Sequence, residues 1–79
     1  MKTNRASRPT HATVDVDGRV AEIVAVQLRN GTYLARERSP RDPKRYANTV
    51  QRDTREAALS DAIDFIKTHG SFWSRHPEL

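Results

Sequence analysis

Two Asx-Gly pairs, Asp17-Gly18 and Asn30-Gly31, constrain the fold of this chain more than any other feature, because each favours a tight β-hairpin. Such pairs supply the positive φ angles that a two-residue type I′ turn needs. The segment between them, VAEIVAVQLR at residues 20–29, is rich in the β-branched residues that favour strands. The sequence therefore predicts two successive hairpins. The three predicted strands are residues 12–16, 20–29 and 32–39.

The second half of the chain predicts one more strand and one helix. Pro40 and Pro43 end the third strand, and residues 46–52 fit a fourth. Asp53 and Glu56 have the spacing of a capping box, in which the first side chain accepts a backbone hydrogen bond at the helix start. A helix is expected from about residue 54 to 69, followed by a glycine suited to end it. Its apolar stripe consists of Ala58, Leu59, Ala62, Ile63 and Ile66, with Phe65 at the border.

A chain of 79 residues has room for one small domain. The predicted fold class is α+β, with a small antiparallel sheet of three to four strands packed by one C-terminal helix. We divide the chain into a flexible basic arm (residues 1–11), a single α+β domain (residues 12–70) and a C-terminal tail with an aromatic pair (residues 71–79). Phe72 and Trp73 in that tail either fold back over the core or anchor a partner or a second copy of the chain.

Composition narrows the cellular setting. The chain has no cysteine, which excludes disulfides and thiolate metal sites and fits a reducing compartment. The basic start lacks the apolar segment of a secretory signal, and Glu22 and Gln27 interrupt the longest apolar run. We therefore expect a cytoplasmic protein without a membrane partner.

Catalysis and metal binding are not expected from the distribution of reactive side chains. His11, His69 and His76 lie far apart and lack the spacing of metal ligands. Asp61 and Asp64 share a helix face, where they are interpreted as solvent charges rather than an acid–base pair. Nucleophile-elbow, P-loop and dinucleotide-binding motifs are missing from the sequence. The chain is predicted to be a non-enzymatic binding protein without a cofactor.

The net charge of +4 is concentrated in two parts of the chain. Residues 1–11 hold three bases and no acid, and residues 36–55 hold seven bases and three acids, whereas the solvent face of the predicted helix is mostly acidic. A two-residue turn at Asn30-Gly31 would pair Val26 with Ala35. This register would turn Val26 toward the helix and the basic side chains toward solvent.

The register of the first hairpin has two solutions. A strict two-residue turn at Asp17-Gly18 would place Val14 and Val16 beside Ala21 and Ile23, on the basic side of the sheet. A bulge or a longer loop would instead turn both valines inward.

A basic sheet face predicts binding to DNA or RNA. Arg and Gln side chains on strands can contact base edges in the major groove, and bases in loops can contact phosphates. A basic arm can add salt-dependent contacts. The candidate binding residues are Gln27, Arg29, Thr32, Arg36 and Arg38 on the sheet, Arg41, Lys44 and Arg45 in the loop, and Arg5 and Arg8 in the arm.

Several short motifs follow one another between residues 29 and 65. They are Arg29-Asn30-Gly31-Thr32-Tyr33, Arg36, Arg41-Asp42-Pro43, and Asp53-Thr54-Arg55-Glu56-Ala57 leading into Ala62-Ile63. Together they resemble the amino-terminal arm-binding domain of lambda-type phage tyrosine recombinases. The resemblance implies a three-stranded sheet with a C-terminal helix that binds DNA through the sheet, here as a stand-alone module of a phage or mobile element. Thr32 stands where the family has an aromatic residue, and no catalytic domain follows, so recombinase activity is not expected.

A protein partner is the competing interpretation. In size and style the chain is similar to phage-encoded inhibitors of host defence, including anti-CRISPR proteins. Such an inhibitor would use Arg36, Arg38 and the following loop to dock on a host protein or ribonucleoprotein complex. An antitoxin-like regulator is a third interpretation.

Overall fold

The computed structural model describes residues 10–16 and 18–79. Four strands form one antiparallel sheet in the order β1-β2-β3-β4, and α1 packs against all four. The predicted α+β fold class is therefore confirmed, with four strands. The basic arm at residues 1–9, including Arg5 and Arg8, and the turn residue Asp17 lie outside the described residues. The elements are β1 His11–Val16, β2 Arg19–Gln27, β3 Tyr33–Arg38, β4 Tyr46–Arg52, α1 Arg55–His69 and α2 Phe72–Arg75.

The turn between β2 and β3 is one residue longer than predicted. The Leu28 N–H donates to the Thr32 carbonyl at 2.8 Å, and the Gly31 N–H donates to the Leu28 carbonyl at 3.0 Å. Residues 29–31 thus form a three-residue loop, with Gly31 at a φ of 89°. The Asn30 Oδ1 accepts from the Thr32 N–H at 3.0 Å and holds the loop closed. The two-residue turn was wrong, because an Asx-Gly pair also fits a type I turn followed by a left-handed glycine.

This extra loop residue turns β2 over relative to the predicted register. Ala25, rather than Val26, pairs with Ala35. Because side chains alternate along a strand, a shift of one residue exchanges the two faces of the sheet. Ile23 and Ala25 consequently face α1, while Val24 and Val26 lie on the opposite side.

The first hairpin has the register of a strict two-residue turn. Val16 pairs with Arg19, and Gly18 has a φ of 82°. Val14 pairs with Ala21, and both side chains are buried. The two valines of β1 face the helix without a bulge, because β2 itself is turned over.

We call the side of the sheet toward α1 the inner face and the other side the outer face. The inner face packs against the apolar stripe of α1, in which Ala58, Leu59, Ala62 and Ile66 are buried as predicted. Phe65 remains 40% exposed at the border. By pairing and alternation the outer face carries Thr13, Asp15, Val20, Glu22, Val24, Val26, Leu34, Arg36, Arg38 and Tyr46.

Helix α1 is capped one residue later than predicted. Thr54 has an extended backbone, and its hydroxyl accepts from the Ala57 N–H at 3.1 Å. Thr54, rather than Asp53, is therefore the N-cap, with a side chain that satisfies one of the free N–H groups of the first turn. At the other end the Gly70 N–H donates to the Ile66 carbonyl at 2.7 Å, as expected for a C-terminal glycine.

Candidate nucleic-acid interface

Tyr46 and two arginines form the centre of the outer face. The guanidinium carbons of Arg36 and Arg38 lie 4.6 and 4.9 Å from the centroid of the Tyr46 ring. Tyr46 pairs directly with Arg38 across β3 and β4, and Arg36 is its diagonal neighbour. These separations are typical of cation–π contacts, which hold a guanidinium against an aromatic face. We call these three residues the Arg-Tyr cluster.

A bulge in β4 brings Tyr46 to this cluster. Val50 pairs with Ala35 on the inner face, whereas Asn48 pairs with Arg36, so that Thr49 has no partner in β3. Without the additional residue, Tyr46 and Val50 would share one face, because they are four residues apart. The bulge thus keeps Val50 in the core and re-aims Tyr46 outward.

Arg38 is an anchored member of the cluster. Its Nε donates to the Glu22 Oε1 at 3.0 Å, and its Nη1 donates to the Pro43 carbonyl at 2.7 Å. These bonds tie β3 to β2 and to the loop after β3. Because Glu22 neutralises the guanidinium, Arg38 adds planar surface to the outer face more than net charge.

Arg36 differs from Arg38 in its hydrogen bonding. Within residues 10–16 and 18–79, no carboxylate forms an ion pair with it, and its buried Nε has no hydrogen-bond partner. A buried donor without a partner costs about 1–3 kcal/mol. Arg36 therefore carries the uncompensated positive charge of the cluster.

Apolar side chains surround the cluster. Val24, Val26 and Leu34 belong to the same outer surface, and Val26 is 36% exposed. Val20, farther along β2, is 58% exposed. A shallow depression on this face is lined in part by His11, Glu22, Val24, Val26 and the Arg-Tyr cluster. Around the cluster, the outer face therefore presents apolar side chains beside two planar cations and one aromatic ring.

Formal charge on the outer face is balanced, in contrast to the basic face that the sequence predicts. Arg36 and Arg38 are offset by Asp15 and Glu22, which lie on the same side. The positive surplus is found in the loop between β3 and β4, where Arg41, Lys44 and Arg45 are exposed. An anionic ligand would therefore contact the positive charge of this loop, beside the sheet, and not a row of positive charge along the strands.

The loop between β3 and β4 is an ordered turn. The buried Ser39 hydroxyl accepts from the N–H groups of Arg41 and Asp42, both at 3.2 Å, and the Lys44 N–H donates to the Asp42 Oδ1 at 3.1 Å. The Arg45 guanidinium lies 5.5 Å from the centroid of the indole of Trp73. These bonds present three basic side chains at one end of the sheet.

Two residues that were predicted for the basic face lie elsewhere. Gln27 pairs with Tyr33 and belongs to the inner side, at the exposed end of β2. Arg29 lies in the β2–β3 loop. The longer loop explains both displacements, since it shifts β2 by one residue. Thr32 stays on the side of Arg36 and Arg38, where its hydroxyl donates to the Asn30 Oδ1 at 2.6 Å and accepts from the Gln51 Nε2 at 2.8 Å.

Phe72 and Trp73 fold back against the end of the sheet. Trp73 is 2% exposed, and its indole N–H donates to the Glu37 carbonyl at 2.9 Å. The Phe72 ring is half-buried and meets the indole edge-on, with the ring centroids 4.9 Å apart. Of the two predicted alternatives, the fold-back agrees with this placement, because a buried indole presents no surface to a partner.

Sequence reasoning missed two residues at these sites, Tyr46 and Glu37. Glu37 is 2% exposed on the inner face, where its carboxylate accepts from the Ser71 hydroxyl and, at 3.0 Å, from the Phe72 N–H. A signal was present in the sequence, because Glu37 is two residues from Ala35 and must share its face. The sequence held no such signal for Tyr46, because the face on which Tyr46 lies depends on the bulge in β4.

The solvent side of α1 carries more acidic than basic side chains. Glu56, Asp61 and Asp64 lie on the solvent side of α1, and the Asp61 Oδ2 pairs with the Arg52 Nε at 2.7 Å. Neither α1 nor α2 has the length and apolar character that a membrane-crossing helix needs. Among the described residues, no three His, Asp or Glu side chains are grouped closely enough to hold a metal ion.

No protein-family model matches the chain, and the comparisons with curated proteins and with solved structures find no match either. The resemblance to the arm-binding domain of phage recombinases therefore stays a prediction.

Proposed function

We propose that this protein binds nucleic acid, DNA or RNA, through the outer face of the sheet and the basic loop beside it. The observation that supports this most is the Arg-Tyr cluster, in which Arg36 is held against Tyr46 without a carboxylate partner among the described residues. Arg guanidinium planes and aromatic rings are the groups on which bases stack, and Arg also contacts phosphates and base edges. Arg41, Lys44 and Arg45 supply further phosphate contacts.

The charge distribution supports the same side of the molecule. A phosphate backbone would be repelled by Glu56 and Asp64 on α1 and attracted by the loop at the end of the sheet. The outer face is also free of any covering element among the described residues.

The test is a binding titration by fluorescence anisotropy, with labelled single-stranded and duplex oligonucleotides in about 50 mM salt. Arg36→Gln removes the uncompensated charge of the cluster and should weaken binding at least about tenfold, since hydrogen bonds to charged groups contribute about 1.5–3 kcal/mol. Lys67→Gln is the matched control, because it removes the same charge from an exposed position on α1. Its affinity should stay within about twofold of wild type.

Two outcomes would contradict the proposal. Equal losses for Arg36→Gln and Lys67→Gln would mean that only net charge matters. No binding of either oligonucleotide in about 50 mM salt would remove nucleic acid as the ligand.

A second candidate function is docking on a host protein or nucleoprotein complex, as in a phage-encoded inhibitor of host defence. The exposed Val20 and Val26 and the balanced charge of the outer face favour it, because Tyr and Arg beside apolar surface are typical of protein hot spots. Docking of this kind would keep its affinity when salt is raised from about 50 to 200 mM, whereas phosphate-dependent binding would weaken. Val26→Glu should abolish capture of a protein partner without unfolding the chain.

A further inference from the structure

The width of the sheet decides which form of nucleic acid fits the outer face. Neighbouring strands lie about 4.8 Å apart, so that the axes of four strands span about 14 Å before side chains are added. The major groove of a DNA duplex is about 12 Å wide and admits a helix or a two-stranded ribbon. In this sheet β2 and β3 both have neighbours on either side, so the strand bearing Arg36 and Arg38 belongs to no projecting ribbon. The outer face is therefore too wide to enter the groove.

The side chains of the outer face match bases better than phosphates. The guanidinium groups of Arg36 and Arg38 lie over the Tyr46 ring, so that the cluster is a layered set of flat groups, and Val24 and Val26 extend this surface along β2. In a duplex the base faces are covered by stacking, and a broad protein surface meets mainly phosphates. In a single strand the base faces are free to stack on aromatic and guanidinium groups.

The positions of the basic residues fit a backbone that passes beside the sheet. The Arg38 Nη1 bond to the Pro43 carbonyl joins the Arg-Tyr cluster to the β3–β4 loop. The exposed Lys44 and Arg45 follow directly in that loop. Bases lying on the cluster would direct an adjoining phosphate toward Lys44, whereas the Arg45 guanidinium lies against the Trp73 indole at the end of the sheet.

From the width of the sheet and the chemistry of its outer face we infer that the ligand is single-stranded nucleic acid, with a base stacked on the Arg-Tyr cluster. This inference rests on the proposed function and specifies its substrate class. On this side of the molecule the described residues offer at most four phosphate contacts, Arg36, Arg41, Lys44 and Arg45, which would contribute about −3 to the slope of log affinity against log salt. Stacking supplies the remaining affinity.

The experiment compares a non-self-complementary twenty-nucleotide strand with the duplex that it forms with its complement, by anisotropy in about 50 mM salt. The single strand should bind at least about tenfold more tightly than the duplex. Tyr46→Leu removes the aromatic face and should weaken single-strand binding about 5- to 150-fold, while Tyr46→Phe retains wild-type binding. Tyr33→Leu is the control, since it makes the same change on the inner side of β3.

A second measurement does not depend on a variant that folds. Addition of the single strand to ¹⁵N-labelled wild-type protein should shift the amide signals of β2, β3 and β4 around Val24, Leu34 and Arg36. Shifts confined to α1 would overturn the inference.

The outcomes separate this inference from the proposed function. Duplex binding that equals or exceeds single-strand binding overturns the inference and leaves nucleic-acid binding in place. Retained single-strand binding by folded Tyr46→Leu also overturns it. Failure of both oligonucleotides to bind overturns the proposed function as well.

Discussion

Arg36 and Glu37 are neighbours in β3 that point to opposite faces, and the protein treats their charges in opposite ways. Glu37 is buried on the inner face, and its carboxylate accepts from the Ser71 hydroxyl and the Phe72 N–H. Arg36 lies on the outer face with a buried Nε that no described group satisfies. The donors of Ser71 and Phe72 offset the cost of burying the Glu37 carboxylate, whereas the Arg36 guanidinium has no carboxylate partner among the described residues. The inner face thus contributes to stability, and we propose that the outer face serves binding.

The inner side should show the largest losses of stability. Trp73→Ala removes a buried indole and its hydrogen bond to the Glu37 carbonyl, and should lower the free energy of unfolding by about 3–5 kcal/mol. Urea unfolding followed by circular dichroism measures this change. Phe65→Ala is the control, because Phe65 is 40% exposed and should lose no more than about 1 kcal/mol. Equal losses of stability for the two variants would contradict the packing of Trp73 against the end of the sheet.

Glu37→Ala tests the inner side by removing its buried carboxylate. The change leaves the Ser71 hydroxyl and the Phe72 N–H without an acceptor, and should cost about 2–4 kcal/mol in the same unfolding measurement. Glu22→Ala removes a carboxylate from the outer face, where its ion pair with Arg38 is partly exposed, and should cost about 1 kcal/mol or less. If the two carboxylates proved equally important for stability, the contrast between the faces would fail.

The sequence was sufficient for the parts of the fold that depend on local chemistry. The apolar stripe of α1 and Gly70 at its C-terminus are set by helical spacing and by backbone conformation, and both were predicted. The second hairpin was not, because Asn30-Gly31 is compatible with a two-residue turn and with a three-residue loop. That choice turned β2 over and moved Gln27 to the inner side.

The candidate binding surface was harder to predict than the fold. Arg36 and Arg38 were placed on the solvent side of β3 from strand alternation alone. Tyr46 was not assigned to this surface. The face on which it lies depends on the unpaired Thr49 and on the loop of residues 39–45, whose sequence does not determine how β4 pairs with β3. Strand alternation from Ala35 places Glu37 on the inner face. This placement buries a carboxylate, which is unfavourable unless donors such as those of Ser71 and Phe72 satisfy it.

A smaller effect is expected at the loop that sets the register. Gly31 has a φ of 89°, and a Cβ at this position would contact nothing within 4 Å. Gly31→Ala should therefore cost about 1–2 kcal/mol through backbone conformation alone. Thermal unfolding measures it, with Asn30→Ala beside it as a test of the Asx bond to the Thr32 N–H. A neutral Gly31→Ala would show that the loop does not hold the left-handed conformation.

The smallest change in stability is expected at Arg36. Arg36→Gln loses the contact with Tyr46, which contributes about 0.5–1 kcal/mol, and retains a polar amide group near the position of the buried Nε. The free energy of unfolding should therefore stay within about 1 kcal/mol of wild type. A loss as large as that of Glu37→Ala would show that Arg36 is a structural residue.

The most direct test of the division between the faces is the single-strand affinity of Arg36→Gln, measured on the same preparation as its free energy of unfolding. Affinity should fall at least about tenfold while stability is retained. Unchanged affinity, or a loss of affinity that only accompanies unfolding, would contradict the assignment of the outer face to nucleic-acid binding.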